Sequence, residues 1–143
     1  MKTMHILLVE DNEGDILLIR EAFEDARMIN DLFVVKDGEK AIHYLNKREG
    51  FEDVQTPDII LLDINLPRKN GFEVLEYIKE NDKLKHIPVI MLTTSSSEKD
   101  VYSSYQKHAN CFITKPIDVE TFLKVITSIE YFWIHLVTLP GER

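Results

Sequence analysis

His5-Ile6-Leu7-Leu8-Val9-Glu10-Asp11-Asn12 is the stretch on which the architecture turns. Four consecutive aliphatic residues follow His5 without polar alternation, the pattern of a strand buried on both faces. The acids end that run. Ile16, Ile19, Phe23 and Ala26 then recur at three- and four-residue spacing, which predicts an amphipathic helix with Asp11 or Asn12 able to cap its start. A buried strand leading into an amphipathic helix is one turn of an α/β protein, and the same alternation continues along the chain.

Residues 32–35 read as a second strand and Asp37-Gly38 as a turn, before a helical stripe of Ala41, Ile42 and Leu45. Residues 59–62 form a third strand closed by Asp63, and a loop through Pro67 and Gly71 leads to a helix carrying Val74, Leu75 and Ile78. Pro88 opens a fourth strand, residues 89–92, which runs into the polar stretch 93–97. Val101, Tyr102 and Tyr105 mark a weaker fourth helix. Residues 111–113 make a fifth strand ended by Lys115-Pro116, and Val119, Phe122, Leu123, Ile126 and Ile129 mark a fifth helix. Five such units predict a flavodoxin-like (βα)5 fold: a doubly wound parallel sheet of strand order 2-1-3-4-5. Residues 46–57 are polar and long for a helix-to-strand connection, where about 2–6 residues is usual.

Composition sets the outer limits. The length of 143 residues predicts one domain, residues 1–143, with a core over about 5–133 and a C-terminal extension over 134–143. The single cysteine, Cys111, excludes a disulfide framework and a cysteine zinc site, and fits a cytoplasmic location. A net charge of −8 disfavours nucleic acid as a partner. No stretch reaches about 18 uncharged apolar residues, so no membrane span is expected, and residues 1–5 carry no cleavage pattern of a secretory signal.

Ligands of an open parallel sheet bind at the carboxyl ends of its strands, beside the point where strand order reverses. The predicted strands end in Glu10-Asp11, Asp63, Thr93-Thr94 and Lys115-Pro116, which brings three carboxylates, a hydroxyl and an ammonium to one rim. Two carboxylates about 4 Å apart repel by roughly 4 kcal/mol at an effective dielectric near 20. Such a group takes up protons or holds a cation, and an oxygen-only donor set points to Mg2+. An aspartate beside Mg2+ and a lysine is equipped to attack phosphorus.

Val9-Glu10-Asp11-Asn12, Leu62-Asp63-Ile64-Asn65-Leu66-Pro67 with Asn70-Gly71, Leu92-Thr93-Thr94-Ser95 and Lys115-Pro116 together resemble the signature set of the response-regulator receiver domain of two-component signalling. The likeness runs from about His5 to Trp133. It implies that Asp63 is the phosphoacceptor, that Glu10 and Asp11 organise Mg2+ with Asp63, and that Asn65 adds a backbone carbonyl. Thr93 matches the switch hydroxyl, Thr94 the small residue governing access, and Lys115 the lysine that contacts phosphoryl oxygens. Phe112 matches the aromatic rotamer switch, and Pro116 the proline usually preceded by a cis bond. The segment 46–57 and the ending from Tyr131 to Pro140 resemble the single-domain regulators paired with bacterial phytochrome histidine kinases.

These implications make the chain a signalling switch rather than an enzyme with a separate substrate. A sensor histidine kinase would donate the phosphoryl group near the first helix, and the signal would leave through the face of the fourth helix, fifth strand and fifth helix, to a downstream protein or a second copy. Each feature also has a plainer reading. Glu10-Asp11-Asn12 can merely cap the first helix, Thr93 can finish a strand, Lys115 can be a solvated charge, and Phe112 can be core packing. The strip 131–139 can cover a sheet edge or serve self-association. His5, His43, His86, His108 and His135 are scattered without metal-site spacing.

Three rival chemistries fit less well. A haloacid-dehalogenase-type phosphohydrolase needs a second acid two residues after its nucleophile, where this chain has Asn65. A flavin phosphate would be repelled by Glu10, Asp11, Glu13 and Asp15. An EF-hand is broken by Pro67 and Arg68 after Asp63-Ile64-Asn65.

Overall fold

The computed structural model describes residues 3–93 and 111–138. Its strands are β1 (Met4–Val9), β2 (Asn30–Val35), β3 (Ile59–Asp63), β4 (Val89–Thr93) and β5 (Cys111–Thr114), paired in the order β2-β1-β3-β4-β5. Every pairing is parallel. This is the flavodoxin-like order expected from the alternation of buried strands and amphipathic helices. The described helices are α1 (Glu13–Glu24), α2 (Gly38–Leu45), α3 (Gly71–Glu80) and α4 (Val119–Thr138). The helix expected at Val101, Tyr102 and Tyr105 lies outside the described residues, so α4 is the helix read fifth in the sequence.

The two-residue period of the strands sorts their side chains onto two faces. Leu7, Val9, Ile60, Leu62, Val89 and Met91 pack with Ala41, Tyr44 and Leu45 of α2 and Val74, Leu75 and Ile78 of α3. Ile6, Leu8, Leu61, Ile90 and Leu92 turn the other way, onto Ile16, Ile19 and Phe23 of α1 and Phe122 and Ile126 of α4. Phe23 and Phe122 meet edge to face, centroids 6.2 Å apart, tying the first helix to the last.

Helix starts are set by side chains that accept an otherwise unpaired backbone N–H. Asn12 caps α1 through the N–H of Asp15, settling the choice between Asp11 and Asn12. Asp37 accepts from the N–H of Lys40, so Asp37-Gly38 is the start of α2 rather than a free turn. Asn70 and Glu73 form a reciprocal capping box on α3.

Two segments acquire a structural role that their composition did not disclose. In the connection 46–57, Lys47, Glu49 and Gly50 take positive φ, and Phe51 and Val54 then fold back onto the α2/α3 face. The Phe51 ring lies 5.4 Å from Tyr44 and 6.0 Å from Phe33. At the other end, α4 continues without a break through Thr138. Residues 134–138 of the expected extension are the end of this helix. The exposed Tyr131 ring stacks on His135 at 4.1 Å, and the buried Glu130 accepts the backbone N–H groups of Arg27 and Met28.

Candidate functional site

Sheet register assembles the rim. Val9 of β1 pairs with Leu62 of β3, so Glu10 and Asp63 leave the sheet side by side. Asp63 pairs with Leu92, placing Thr93 one step beyond it, and Thr93 pairs with Thr114, which delivers Lys115 next. All four stand at carboxyl ends, near the reversal of strand order at β1.

The rim is buried to an unusual degree for charged groups. Glu10 is fully buried, Asp63 is 2 % exposed and Lys115 8 %, while Asp11 is exposed. Lys115 Nζ lies 2.6 Å from Glu10 Oε1 and 3.1 Å from Asp15 Oδ2, and donates to Asp63 Oδ2 at 3.2 Å. Asp63 Oδ1 accepts the Asn65 N–H at 3.2 Å. Glu10 Oε2 accepts the Asn12 N–H at 3.1 Å. Glu10 Oε1 is buried and receives no aligned hydrogen bond among the described residues, so its approach to Lys115 is a charge contact.

Burial pushes the Glu10 carboxyl up to about 7, and the adjacent Asp63 pushes the same way against the pull of Lys115 and the Asn12 N–H. Burial alone would depress Lys115, but Glu10, Asp15 and Asp63 together outweigh it and hold the ammonium above its ordinary value. Lys115 is thus charged at neutral pH. The Lys115–Pro116 bond is cis, as the family likeness implied.

One carboxylate oxygen each from Glu10, Asp11 and Asp63 lies within 4.8 Å of the others. An all-oxygen set from three carboxylates fits a hard divalent cation. Thr93 is buried beside this cluster in sequence register, 1 % exposed. Phe112 is half-buried and packs against the α2/α3 face, and the Asn65 side chain is exposed at the rim. Thr94 lies outside the described residues.

Two contributors escaped the sequence reading. Asp15, in the first turn of α1, reaches Lys115 because helix phase turns it to the rim, and helix phase is not fixed by a cap alone. Gly71 was quoted within a motif but without its reason. A Cβ at Gly71 would stand 2.3 Å from the Asp63 carbonyl oxygen, and the Gly71 N–H donates to Ile64 O at 2.8 Å. The start of α3 is pressed against the backbone that carries Asp63.

Residues 6–127 match the family of response regulator receiver domains. The chain is 44 % identical over 136 residues to response regulator Rcp1 of Synechocystis sp., covering 95 % of this chain and 92 % of that protein. The crystal structure of the Mn2+-bound form of Rcp1 superposes with a TM-score of 0.82 at 43 % identity, covering 96 % of this chain and 99 % of that one. That of the phosphorylated cyanobacterial phytochrome response regulator RcpA gives 0.84 at 42 % identity, covering 98 % and 100 %.

Proposed function

The chain belongs to the response regulator receiver domain family, and from that premise we propose that it is a phosphoryl-accepting switch whose acceptor is Asp63. The observation that carries this reading is the convergence of the Glu10, Asp11 and Asp63 oxygens within 4.8 Å, with the Lys115 ammonium 3.2 Å from Asp63 Oδ2.

A carboxylate oxygen of Asp63 attacks the phosphorus of a phosphohistidine on a sensor histidine kinase. The O–P bond forms as the P–N bond breaks, and the departing imidazole nitrogen takes up a proton from solvent. Lys115 supplies fixed positive charge to the phosphoryl oxygens as negative charge shifts onto them. Glu10, Asp11 and Asp63 would hold Mg2+, with the Asn65 carbonyl as a further ligand. Bound there, the ion offsets charge on the same oxygens. The chain catalyses only its own phosphorylation and dephosphorylation, and the lack of a second acid at Asn65 favours that over hydrolysis of free monoesters.

Thr93 follows the phosphoryl group inward, and Phe112 moves into the volume it leaves. Phosphorylation thereby biases a pre-existing equilibrium, because it bonds one arrangement better than the other. The face of β5, α4 and the helix expected at 101–105 carries the change to a downstream protein or a second copy. The likeness to the cyanobacterial phytochrome response regulator RcpA supports a phytochrome-type kinase as donor, and a cytoplasmic setting suits that donor.

Incubation with radiolabelled acetyl phosphate and MgCl2 tests the assignment. The wild-type chain is expected to take up acid-labile label and Asp63→Asn none; full labelling of the variant would overturn it.

A further inference from the structure

We propose that Asp15 is a positioning residue for Lys115, holding its ammonium in the unphosphorylated protein and competing for it with a phosphoryl group on Asp63. The inference rests on Asp63 as acceptor and adds a residue that sets how firmly the phosphoryl group is gripped.

An ammonium has three N–H donors and no acceptor. Lys115 Nζ stands 2.6, 3.1 and 3.2 Å from Glu10, Asp15 and Asp63, so three carboxylates share one ammonium. A phosphoryl group on Asp63 brings three acceptor oxygens to an ammonium already crowded by three carboxylates, so it competes with the existing contacts. The three partners are not equal in what release would cost. Glu10 is fully buried, and its carboxylate left without the ammonium would be a buried charge stripped of its partner. Asp63 carries the incoming group. Asp15 is 23 % exposed, so water can take over the oxygen that Lys115 gives up. Asp15 is therefore the contact exchanged on phosphorylation.

Its position is fixed from behind. The Asp15 N–H is held by Asn12 Oδ1 at 2.9 Å, and the next residue, Ile16, is buried against the sheet with Ile19 and Phe23. The first turn of α1 cannot rotate to carry the carboxylate away. Glu13, in the same turn, points elsewhere and pairs with Lys36, both exposed. It offers a matched control, because Glu13→Gln removes the same charge from the same helical turn without touching Lys115.

Beryllofluoride in the presence of MgCl2 serves as a stable phosphoryl mimic, with binding followed by 19F NMR. Asp15→Asn is expected to bind it several-fold more tightly than the wild type, Asp15→Ala at least as tightly, and Glu13→Gln like the wild type. In the unligated protein, the Lys115 Cε–Hε NMR signal is expected to shift in Asp15→Asn and to stay in place in Glu13→Gln, a response that a merely structural role for Asp15 would not give. Unchanged or weaker affinity in Asp15→Asn, or an equal gain in Glu13→Gln, overturns the proposal and leaves the acceptor assignment intact. Wild-type beryllofluoride binding by Asp63→Asn would instead overturn the acceptor assignment on which it rests.

Discussion

Two single residues hold the frame behind the rim, and neither carries the chemistry. Glu130 reaches from α4 to accept the N–H groups of Arg27 and Met28 in the α1–β2 connection. Removing the acceptor leaves the buried Met28 N–H and the part-buried Arg27 N–H unsatisfied, so Glu130→Ala is expected to cost about 2–3 kcal/mol. Glu130→Gln, which keeps an acceptor oxygen, is expected to cost about half that; urea unfolding of both variants checks the ordering. Gly71 acts by having no side chain. The Cβ of Gly71→Ala would fall 2.3 Å from Asp63 O and 2.7 Å from Ile64 Cα, both backbone atoms that cannot swing aside. The start of α3 must retreat, at roughly 1–3 kcal/mol for an overpacked contact. Because the atom displaced belongs to Asp63, acetyl-phosphate labelling is expected to slow along with the loss of stability, whereas Glu130→Gln should label at the wild-type rate. A clash that lowered stability and left labelling untouched would separate Gly71 from the acceptor.

Among the elements, those that repeat a period were legible and those that do not were not. β1 and β3 read correctly because burial on both faces leaves unbroken aliphatic runs. The segment 46–57 has no period, and its packing of Phe51 on Tyr44 follows three positive-φ residues that composition does not reveal. Phe51→Ala is expected to destabilise the fold by about 2 kcal/mol, less than the 3–5 of a fully buried phenylalanine, because Phe51 is only partly buried. The same cluster gives the protein an alkaline limit. Burial, with a smaller push from Asp31, raises the Tyr44 phenol from an ordinary 10 to about 12. The folded state therefore keeps a proton that the unfolded chain gives up first. The stabilisation is whole below pH 10 and is lost as pH rises from 10 through 12. Urea midpoints measured across that window should fall more steeply for the wild type than for Tyr44→Phe. The end of α4 was not legible for a related reason: the aromatic, aliphatic composition of 131–138 does not by itself say where the helix stops, and the backbone carries it through Thr138.

Across the whole molecule, the rim was legible because a parallel sheet sends every strand's carboxyl end to one edge. Glu10, Asp63, Thr93 and Lys115 could be placed together from strand endings alone, and the observed register puts them there. Asp15 could not be, since its reach depends on the phase and seating of α1 against the sheet. The same topology makes the acidic group a property of the folded state only, as the unfolded chain scatters Glu10, Asp11 and Asp63. Mg2+ at the rim should therefore stabilise the protein by mass action, about 2.7 kcal/mol at a hundred times its Kd, or roughly 5–10 °C in Tm for a domain of this size. A chain of net charge −8 also gains from ordinary screening by salt, so the comparison has to be made against KCl at equal ionic strength. Bound metal predicts a rise with MgCl2 that KCl does not reproduce, that EDTA reverses, and that Asp11→Asn largely removes. Asp11 is the right residue to change because it is the exposed member of the three: its amide leaves no buried charge unpaired, so the fold should survive while the metal site loses a ligand. An equal rise in Asp11→Asn, or in KCl alone, would show that the acids are relieved by screening and hold no ion.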